Sequence, residues 1–194
     1  MTKLTLASVG SLEHYLQQRP IFRQAVIAHK NNRRLALGPN ATLHFEDYLT
    51  MKYQVLEMMR AERLSDAIAI QQEIDAYNPL IPDGRNLKCT LMLEFPDANE
   101  RRHQLRKLIG VETSVLIQID DFAAVAPIAD EDVSRCTEEK TSAVHFLRYE
   151  FSSDMIFAAK NGAKWAVFCN HPAYRYHISE LPGHLTRALC QDFD

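Results

Sequence analysis

The sequence lacks the features that mark membrane-spanning, secreted and nucleic-acid-binding proteins. No apolar run approaches the roughly 18 residues that a membrane-spanning helix needs, and residues 1–6 do not form the apolar core of a signal peptide. The formal net charge is −3 at pH 7, so the composition gives no electrostatic case for binding a nucleic acid. We therefore expect neither a membrane nor a nucleic acid among its partners.

Cysteine is scarce, and its spacing excludes several classes of site. The four cysteines, at positions 89, 136, 169 and 190, lie far apart and include no C-x-x-C pair. This spacing favours reduced thiols over a disulfide framework or a zinc knuckle, which predicts a cytoplasmic protein. The sequence also lacks a P-loop, a dinucleotide fingerprint and a G-x-S-x-G nucleophile motif, so no standard motif names a reaction.

The composition that remains is that of an ordinary globular domain. Hydrophobic residues make up 46% and charged residues 24% of the 194-residue chain, which is enough to bury one sizeable core. We expect a single domain over residues 1–194. Acidic residues dominate positions 120–140, where only Arg135 and Lys140 are basic. This imbalance predicts an acidic, flexible loop around 126–141.

The order of the predicted elements indicates the fold class. Helical patterns come first, with a short helix after Ser11 and a second helix beginning at Pro20. A turn at Gly38–Asn40 predicts a hairpin, and hairpin-like connections outnumber β-α-β units in the rest of the chain. We therefore predict an α+β fold, a mainly antiparallel sheet with helices packed on one face and with N-terminal helices.

The segment 52–64 has helical periodicity, but its charges are not sorted to one face. At 100° per residue, Val55 and Met59 lie on the arc that should face a core. Glu62 and Arg63 project into the same arc. Because an unpaired buried charge is costly, the pattern predicts that some of these charges are buried and paired, or otherwise used.

Three interpretations of this charged helix stay open. Glu57 and Arg60 can pair at i, i+3, so that the charges form an ion-pair network with neighbouring elements. The same charges can instead form the interface of a homo-oligomer. In the third interpretation, Glu57 and Glu62 are metal ligands or acid/base groups, and Arg60 and Arg63 bind an anionic ligand.

Histidines provide a second candidate site. His145 lies on a predicted strand, and His171 lies at the end of another. If these strands are neighbours, the two imidazoles converge with Glu57 or Glu62, and two histidines with a carboxylate are the minimal ligand set of a non-haem iron site. The candidate cofactor is thus a divalent metal or iron. The alternative is that His145 is a hydrogen-bonded sheet histidine without a ligand.

Short motifs along the whole chain resemble a known family. They are RPIFR at 19–23, LGP at 37–39, EMMRAER at 57–63, AYNPLIP at 76–82, SAVHFLR at 142–148 and HPAY at 171–174. In this order they resemble DUF3501, a functionally uncharacterised family of bacterial proteins of about this length. The motifs include Tyr77 and Tyr174, which join Arg60 and Arg63 as candidate ligand-binding residues.

The resemblance also implies a biological setting. Family members are often encoded near rubrerythrin-like and iron–sulfur proteins, which implies an accessory or binding module linked to a redox or peroxide-related system, with such a protein as its partner. The alternative function is a metal-dependent enzyme that uses His145, His171 and either Glu57 or Glu62 as ligands.

Overall fold

The computed structural model describes residues 2–133, 135–137 and 139–194. Within these residues the chain has an α+β fold with N-terminal helices, which confirms the predicted class. The helices are α1 (Leu6–Val9), α2 (Leu12–Asn31), α3 (Tyr48–Glu62), α4 (Ala67–Tyr77), α5 (Ala98–Lys107), α6 (Ser153–Lys160) and α7 (Gly183–Leu189). The strands are β1 (Arg34–Ala36), β2 (Ala41–Glu46), β3 (Asn86–Leu93), β4 (Val115–Ile119), β5 (Ile128–Ala129), β6 (Val144–Glu150), β7 (Trp165–His171) and β8 (Tyr174–Ile178).

All strand pairs within these elements are antiparallel, as predicted, but the strands form two sheets. A five-stranded sheet has the order β1-β2-β3-β6-β5, and a three-stranded sheet has the order β4-β7-β8. Side chains from the two sheets and from α5, α6 and α7 share one apolar core. A second apolar cluster joins α1, α2, α3 and α4. No helix in the described part of the chain is long and apolar enough to cross a membrane.

Local sequence signals fix two of the turns. The predicted hairpin forms between β1 and β2, and Gly38 in its turn has a φ of +78°. A Cβ at this position would lie 2.7 Å from the ring of Tyr176, so both the backbone and the contact require glycine. Helix α4 ends just before Asn78–Pro79 as predicted, but Asn78 keeps helical dihedrals (φ −55°, ψ −36°) and the chain continues as a 3-10 helix over Asn78–Leu80. The α-helical hydrogen bonding stops here because Pro79 has no amide hydrogen to donate.

The predicted start of a second helix at Pro20 is wrong. A single helix, α2, continues through Pro20, with Ser11 at its N-cap accepting a hydrogen bond from the amide of His14. A proline inside a helix leaves one carbonyl without its amide partner. Pro20 is exposed, so water can hydrogen-bond to the carbonyl that has lost its amide partner, and the helix can continue past the proline.

The acidic segment is partly built into the five-stranded sheet. Strand β5 pairs with β6, placing Ile128 opposite Arg148. The predicted flexible loop at 126–141 includes Ser134 and Glu138, which lie outside the described residues. Its flexibility therefore stays a prediction.

A buried arginine joins strand β2 to the C-terminal residues. Arg33 is only 2% exposed and lies between α2 and β1. Its Nε–H donates to the carbonyl of Phe45 at 3.0 Å, and Nη1–H donates to the carbonyl of Ala188 at 3.0 Å. Nη2–H bonds the carboxylate of Asp192, which is also buried. Arg33 thus ties β2 to the C-terminal residues.

Arg33→Met is expected to lower the free energy of unfolding by about 3–5 kcal/mol, because it leaves the carboxylate of Asp192 buried without its cation. Urea unfolding followed by circular dichroism measures this change. Arg34→Met is the matched control, since Arg34 is exposed, and it should change stability by less than about 0.5 kcal/mol. If both variants lower the free energy of unfolding by the same amount, Arg33 does not have the central role described.

Candidate metal centre

Glu57, predicted as a metal ligand, is the centre of an ion-pair network. Its carboxylate accepts two hydrogen bonds from Arg19, from Nε at 2.7 Å and from Nη2 at 2.9 Å. It also accepts bonds from the hydroxyl of Tyr15 and from Arg60 Nη2, the latter at 3.2 Å. These donors hold the pKa of Glu57 at about 2, with the Arg19 hydrogen bonds as the largest cause. The carboxylate therefore joins α3 to α2 and has little capacity left for a metal.

The expectation that Glu62 and Arg63 project into the core is wrong. Both are exposed. Helix α3 ends at Glu62, and Arg63 is its C-cap, with a left-handed backbone at φ 55°. Arg63 has therefore left the helical arc, and Glu62, the last residue of the helix, is exposed at its end. Val55 and Met59 are fully buried, as expected from the same arc.

Two other predicted site residues are used inside the fold. Both ring nitrogens of His171 are engaged, because Nε2 bonds the carbonyl of Ile109 at 3.0 Å and Nδ1 accepts from the amide of Ala173 at 3.2 Å. The hydroxyl of Tyr174 donates to the carbonyl of Leu37 at 2.7 Å, which fixes the first hairpin. Neither side chain offers a free donor atom to a ligand.

His145 is the predicted ligand that lies in a cluster of suitable donors. It is fully buried on β6, and its Nδ1 bonds the Asp130 carboxylate at 2.6 Å. On the other side of the ring, Nε2 lies 2.8 Å from the hydroxyl of Thr141, 3.1 Å from the carbonyl oxygen of Ser142 and 4.0 Å from the carboxylate of Glu112. Both ring nitrogens therefore have polar neighbours, and a metal would replace those on Nε2. A carboxylate on one imidazole nitrogen, with the other facing further donors, is the usual arrangement of a metal-ligating histidine.

Cys136 completes the cluster. Its Sγ lies 3.1 Å from Glu112 Oε1 and 3.1 Å from the Thr141 hydroxyl. The donor atoms of Glu112, Cys136 and His145 all lie within 4.8 Å of one another. Within the described part of the chain, this is the one group of three such side chains with that spacing. It contains none of the other predicted metal ligands, so His145, His171, Glu57 and Glu62 are not brought together.

The donor atoms are close enough together for small shifts to bring them around one metal ion. Metal–ligand bonds of about 2.0–2.3 Å place tetrahedral ligand atoms about 3.3–3.8 Å apart. The Thr141 hydroxyl lies 2.8 Å from His145 Nε2, 3.1 Å from Cys136 Sγ and 3.4 Å from the Glu112 carboxylate. It is therefore a fourth oxygen within hydrogen-bond distance of all three donors.

A nucleophilic role for Cys136 fits the surroundings less well. Burial is the largest cause that raises the pKa of its thiol, and the Glu112 carboxylate beside it raises the pKa further. An activated cysteine needs a lowered pKa, whereas a bound cation stabilises a thiolate directly. The cluster is thus better suited to holding a metal than to covalent catalysis.

Three consecutive acidic residues connect this cluster to its surroundings. Asp130, with a left-handed φ of 50°, bonds both His145 and the backbone amide of Phe146. Glu131 and Asp132 instead bond Arg148 and Arg135. We refer to residues 130–132 as the acidic turn. It holds the imidazole of His145 in place from one side.

The sequence interpretation missed Asp130, Glu112, Cys136 and Thr141. Asp130 and Cys136 fall in the predicted acidic loop at 126–141, whose composition indicates solvated side chains. A usable signal was present, since an aspartate, a cysteine, a threonine and a histidine occur within 16 residues, from 130 to 145. Glu112 offers no such signal, because it reaches the cluster from a separate 3-10 turn at Val111–Thr113.

The Glu57 network predicts a pH dependence of stability. Its folded pKa of about 2 lies below the ordinary value of 4.5, so its contribution is present above pH ~4.5 and is lost as the pH falls towards 2. Glu57→Gln removes this contribution. The difference in urea midpoint between wild type and Glu57→Gln should therefore narrow between pH ~6 and pH ~3.

Glu62→Gln is the matched control, because Glu62 is exposed on the same helix. The difference in urea midpoint between Glu62→Gln and wild type should stay constant over this pH range. If the difference between Glu57→Gln and wild type also stays constant, the ion-pair network does not stabilise the fold as proposed.

The comparisons agree with the resemblance seen in the motifs. A family model described as "Protein of unknown function (DUF3501)" matches residues 3–193. The chain is 42% identical to a protein of unknown function from Burkholderia pseudomallei K96243 with a crystal structure at 1.90 Å resolution. The match covers 100% of both chains with a TM-score of 0.95. No curated protein matches. The chain therefore belongs to the DUF3501 family.

Proposed function

We propose that this protein is a metal-binding module that holds one transition-metal ion through Glu112, Cys136 and His145. The observation that carries the proposal is the convergence of their three donor atoms within 4.8 Å. Asp130 supports it, because a carboxylate on Nδ1 directs the Nε2 lone pair of His145 towards the other donors.

The donor chemistry selects the class of metal. A thiolate and an imidazole favour iron, zinc or cobalt over magnesium or calcium, which prefer all-oxygen sites. With Cys136 and Glu112 deprotonated and His145 neutral, the donors carry two negative charges, which one divalent cation neutralises. The metal would thus remove the electrostatic cost of placing a thiolate beside a carboxylate.

A closed site favours a binding module over an enzyme. The side chains of His145 and Glu112 are 0% and 13% exposed, and Thr141 is buried. The Thr141 hydroxyl is within 3.4 Å of all three donors, so it can act as the fourth ligand. Catalytic metal sites keep a position open for substrate or water, whereas closed sites do not.

We also propose that the bound metal links the module to a redox or peroxide-related system. A thiolate ligand suits iron, and iron in such a site can change oxidation state. The neighbours that the family resemblance implies, iron–sulfur and rubrerythrin-like proteins, belong to redox and peroxide metabolism. We therefore place the module as an accessory protein of such a system.

The second candidate function is a metal-dependent enzyme that uses the same His/carboxylate site. The observation in its favour is the count of charged or imidazole ligands, since three protein ligands are typical of catalytic zinc. In this case a water replaces the Thr141 hydroxyl as the fourth ligand.

Purified protein is expected to bind one Co²⁺ per chain with a thiolate-to-cobalt charge-transfer band, because Cys136 supplies a sulfur ligand. Cys136→Ser should abolish the band, and Glu112→Gln should weaken binding by removing one negative charge. Optical titration and equilibrium dialysis measure the two effects.

Cys190→Ser is the matched control. Cys190 is also a partly buried thiol, but it bonds the carbonyl of Ala159 and is not part of the cluster. It should leave the band unchanged. Metal uptake that is sub-stoichiometric in wild type, or a band that survives in Cys136→Ser, would refute the proposed site.

The Co²⁺ form also separates the two candidate functions. In a closed site, added azide should leave the cobalt spectrum unchanged, because Thr141 fills the fourth position. Thr141→Val should open this position and allow azide to change the spectrum. A spectral change in wild type with azide would favour the enzyme instead.

A further inference from the structure

A cavity of about 710 Å³ lies on the outer face of the five-stranded sheet, the face opposite His145. This volume is typical of sites for small organic ligands. One wall comes from the end of α4 and the turn after it, with Tyr77, Pro79 and Leu80. The opposite wall comes from β3 and β6, with Lys88 and Phe146.

Lys88 is the unusual group in this cavity. It is half-buried on β3, and the structure gives its ammonium no hydrogen-bond or ion-pair partner among the described residues. Arg148 lies directly opposite it on β6, and Glu46 lies opposite it on β2. No ion pair joins Glu46 to Lys88 among the described residues, and the Glu46 carboxylate instead accepts a hydrogen bond from the Thr90 hydroxyl at 2.8 Å.

The other charged groups of the lining are already engaged. Arg148 makes two hydrogen bonds to Glu131, at 2.7 and 2.6 Å, and a third to Glu150. Asp132 accepts from Arg135 at 2.7 Å, and Asp83 accepts from the amide of Arg85 at 3.1 Å.

Lys88 is therefore left as the cation of the cavity. Burial lowers the pKa of Lys88 and the charge of Arg148 lowers it further, while the carboxylates of Glu131 and Asp83 raise it. An anion beside the ammonium would offset the repulsion from Arg148.

The rest of the lining is apolar, with one further polar group. Phe146 and Leu80 face the cavity from opposite walls, together with Pro79. The hydroxyl of Tyr77 has no hydrogen-bond partner among the residues that the structure describes. The cavity thus combines apolar side chains with the Lys88 ammonium, the Tyr77 hydroxyl and a set of charged groups that are hydrogen-bonded to other residues.

We propose that this cavity binds a small amphipathic organic acid. Its carboxylate is held by the Lys88 ammonium and the Tyr77 hydroxyl, and its aromatic or aliphatic body packs between Phe146 and Leu80. A charge-assisted hydrogen bond to a half-buried ammonium gives affinity, and the apolar walls favour an acid with an organic body over an inorganic anion, which gains only the polar contacts. The inference does not depend on the metal centre, because alternation along β6 puts His145 and Phe146 on opposite faces of the sheet.

A pair of fluorescent probes tests the proposal. 8-Anilinonaphthalene-1-sulfonate is an aromatic monoanion, and N-phenyl-1-naphthylamine is its neutral analogue. Wild type should bind both saturably, at one site. Lys88→Met should weaken binding of the anionic probe about tenfold or more and leave the neutral probe unchanged, because only the charge-assisted contact is lost.

Lys107→Met is the matched control, since Lys107 is an exposed lysine on α5, and it should bind both probes as wild type does. Octanoate should displace the anionic probe from wild type, which extends the result from a sulfonate to a carboxylate. If Lys88→Met does not fold, Tyr77→Phe is the second variant, and it should lower the affinity for the anionic probe several-fold.

Three results would overturn the proposal. They are the absence of saturable binding in wild type, an unchanged affinity of folded Lys88→Met or Tyr77→Phe for the anionic probe, and a failure of octanoate to compete. None of them bears on Co²⁺ binding, so the metal centre and this cavity can fail separately.

Discussion

The buried guanidinium of Arg33 is the contact on which the arrangement of the layers depends. It binds β2 through the carbonyl of Phe45 and the C-terminal residues through Ala188 and Asp192. Asp192 lies 159 residues further along the chain. Burial raises the pKa of the Asp192 carboxyl to about 6 although Arg33 opposes the rise, so desolvation outweighs the attraction of the pair. Arg33 thus specifies which segments meet more than it adds stability.

The fold was predictable from the sequence wherever a signal was local. The end of α4 before Asn78–Pro79 follows from the missing amide hydrogen of Pro79, and the hairpin turn follows from the positive φ that Gly38 allows. The division into two sheets was not predictable in this way. Alternation in β4 and β7 reveals which side chains are buried, but not which strands pair, and the pairing of Ile117 with Val167 is a long-range choice.

The candidate site was predictable only in part, for the same reason. Periodicity places His145 on a strand. One interpretation of the sequence is that His145 is a hydrogen-bonded sheet histidine, and its bond to Asp130 agrees with that interpretation. Cys136 and Glu112 are 24 residues apart and meet through irregular segments, where no periodicity applies. In the charged helix the prediction is wrong for a different reason: the helical pattern is extended beyond Glu62, where the helix ends. A helical period alone does not reveal where a helix ends unless a residue such as Pro79 marks the end.

The acidic turn has a consequence for how this family can vary. Its residues Asp130, Glu131 and Asp132 bond three different side chains in three directions, to His145, Arg148 and Arg135. Surface loops usually accept insertions and deletions, because few of their side chains are committed. Here a change of one residue in length would shift every carboxylate to the wrong partner at once. In family members that keep this histidine and both arginines, alignment gaps should therefore fall on either side of the turn and not within it.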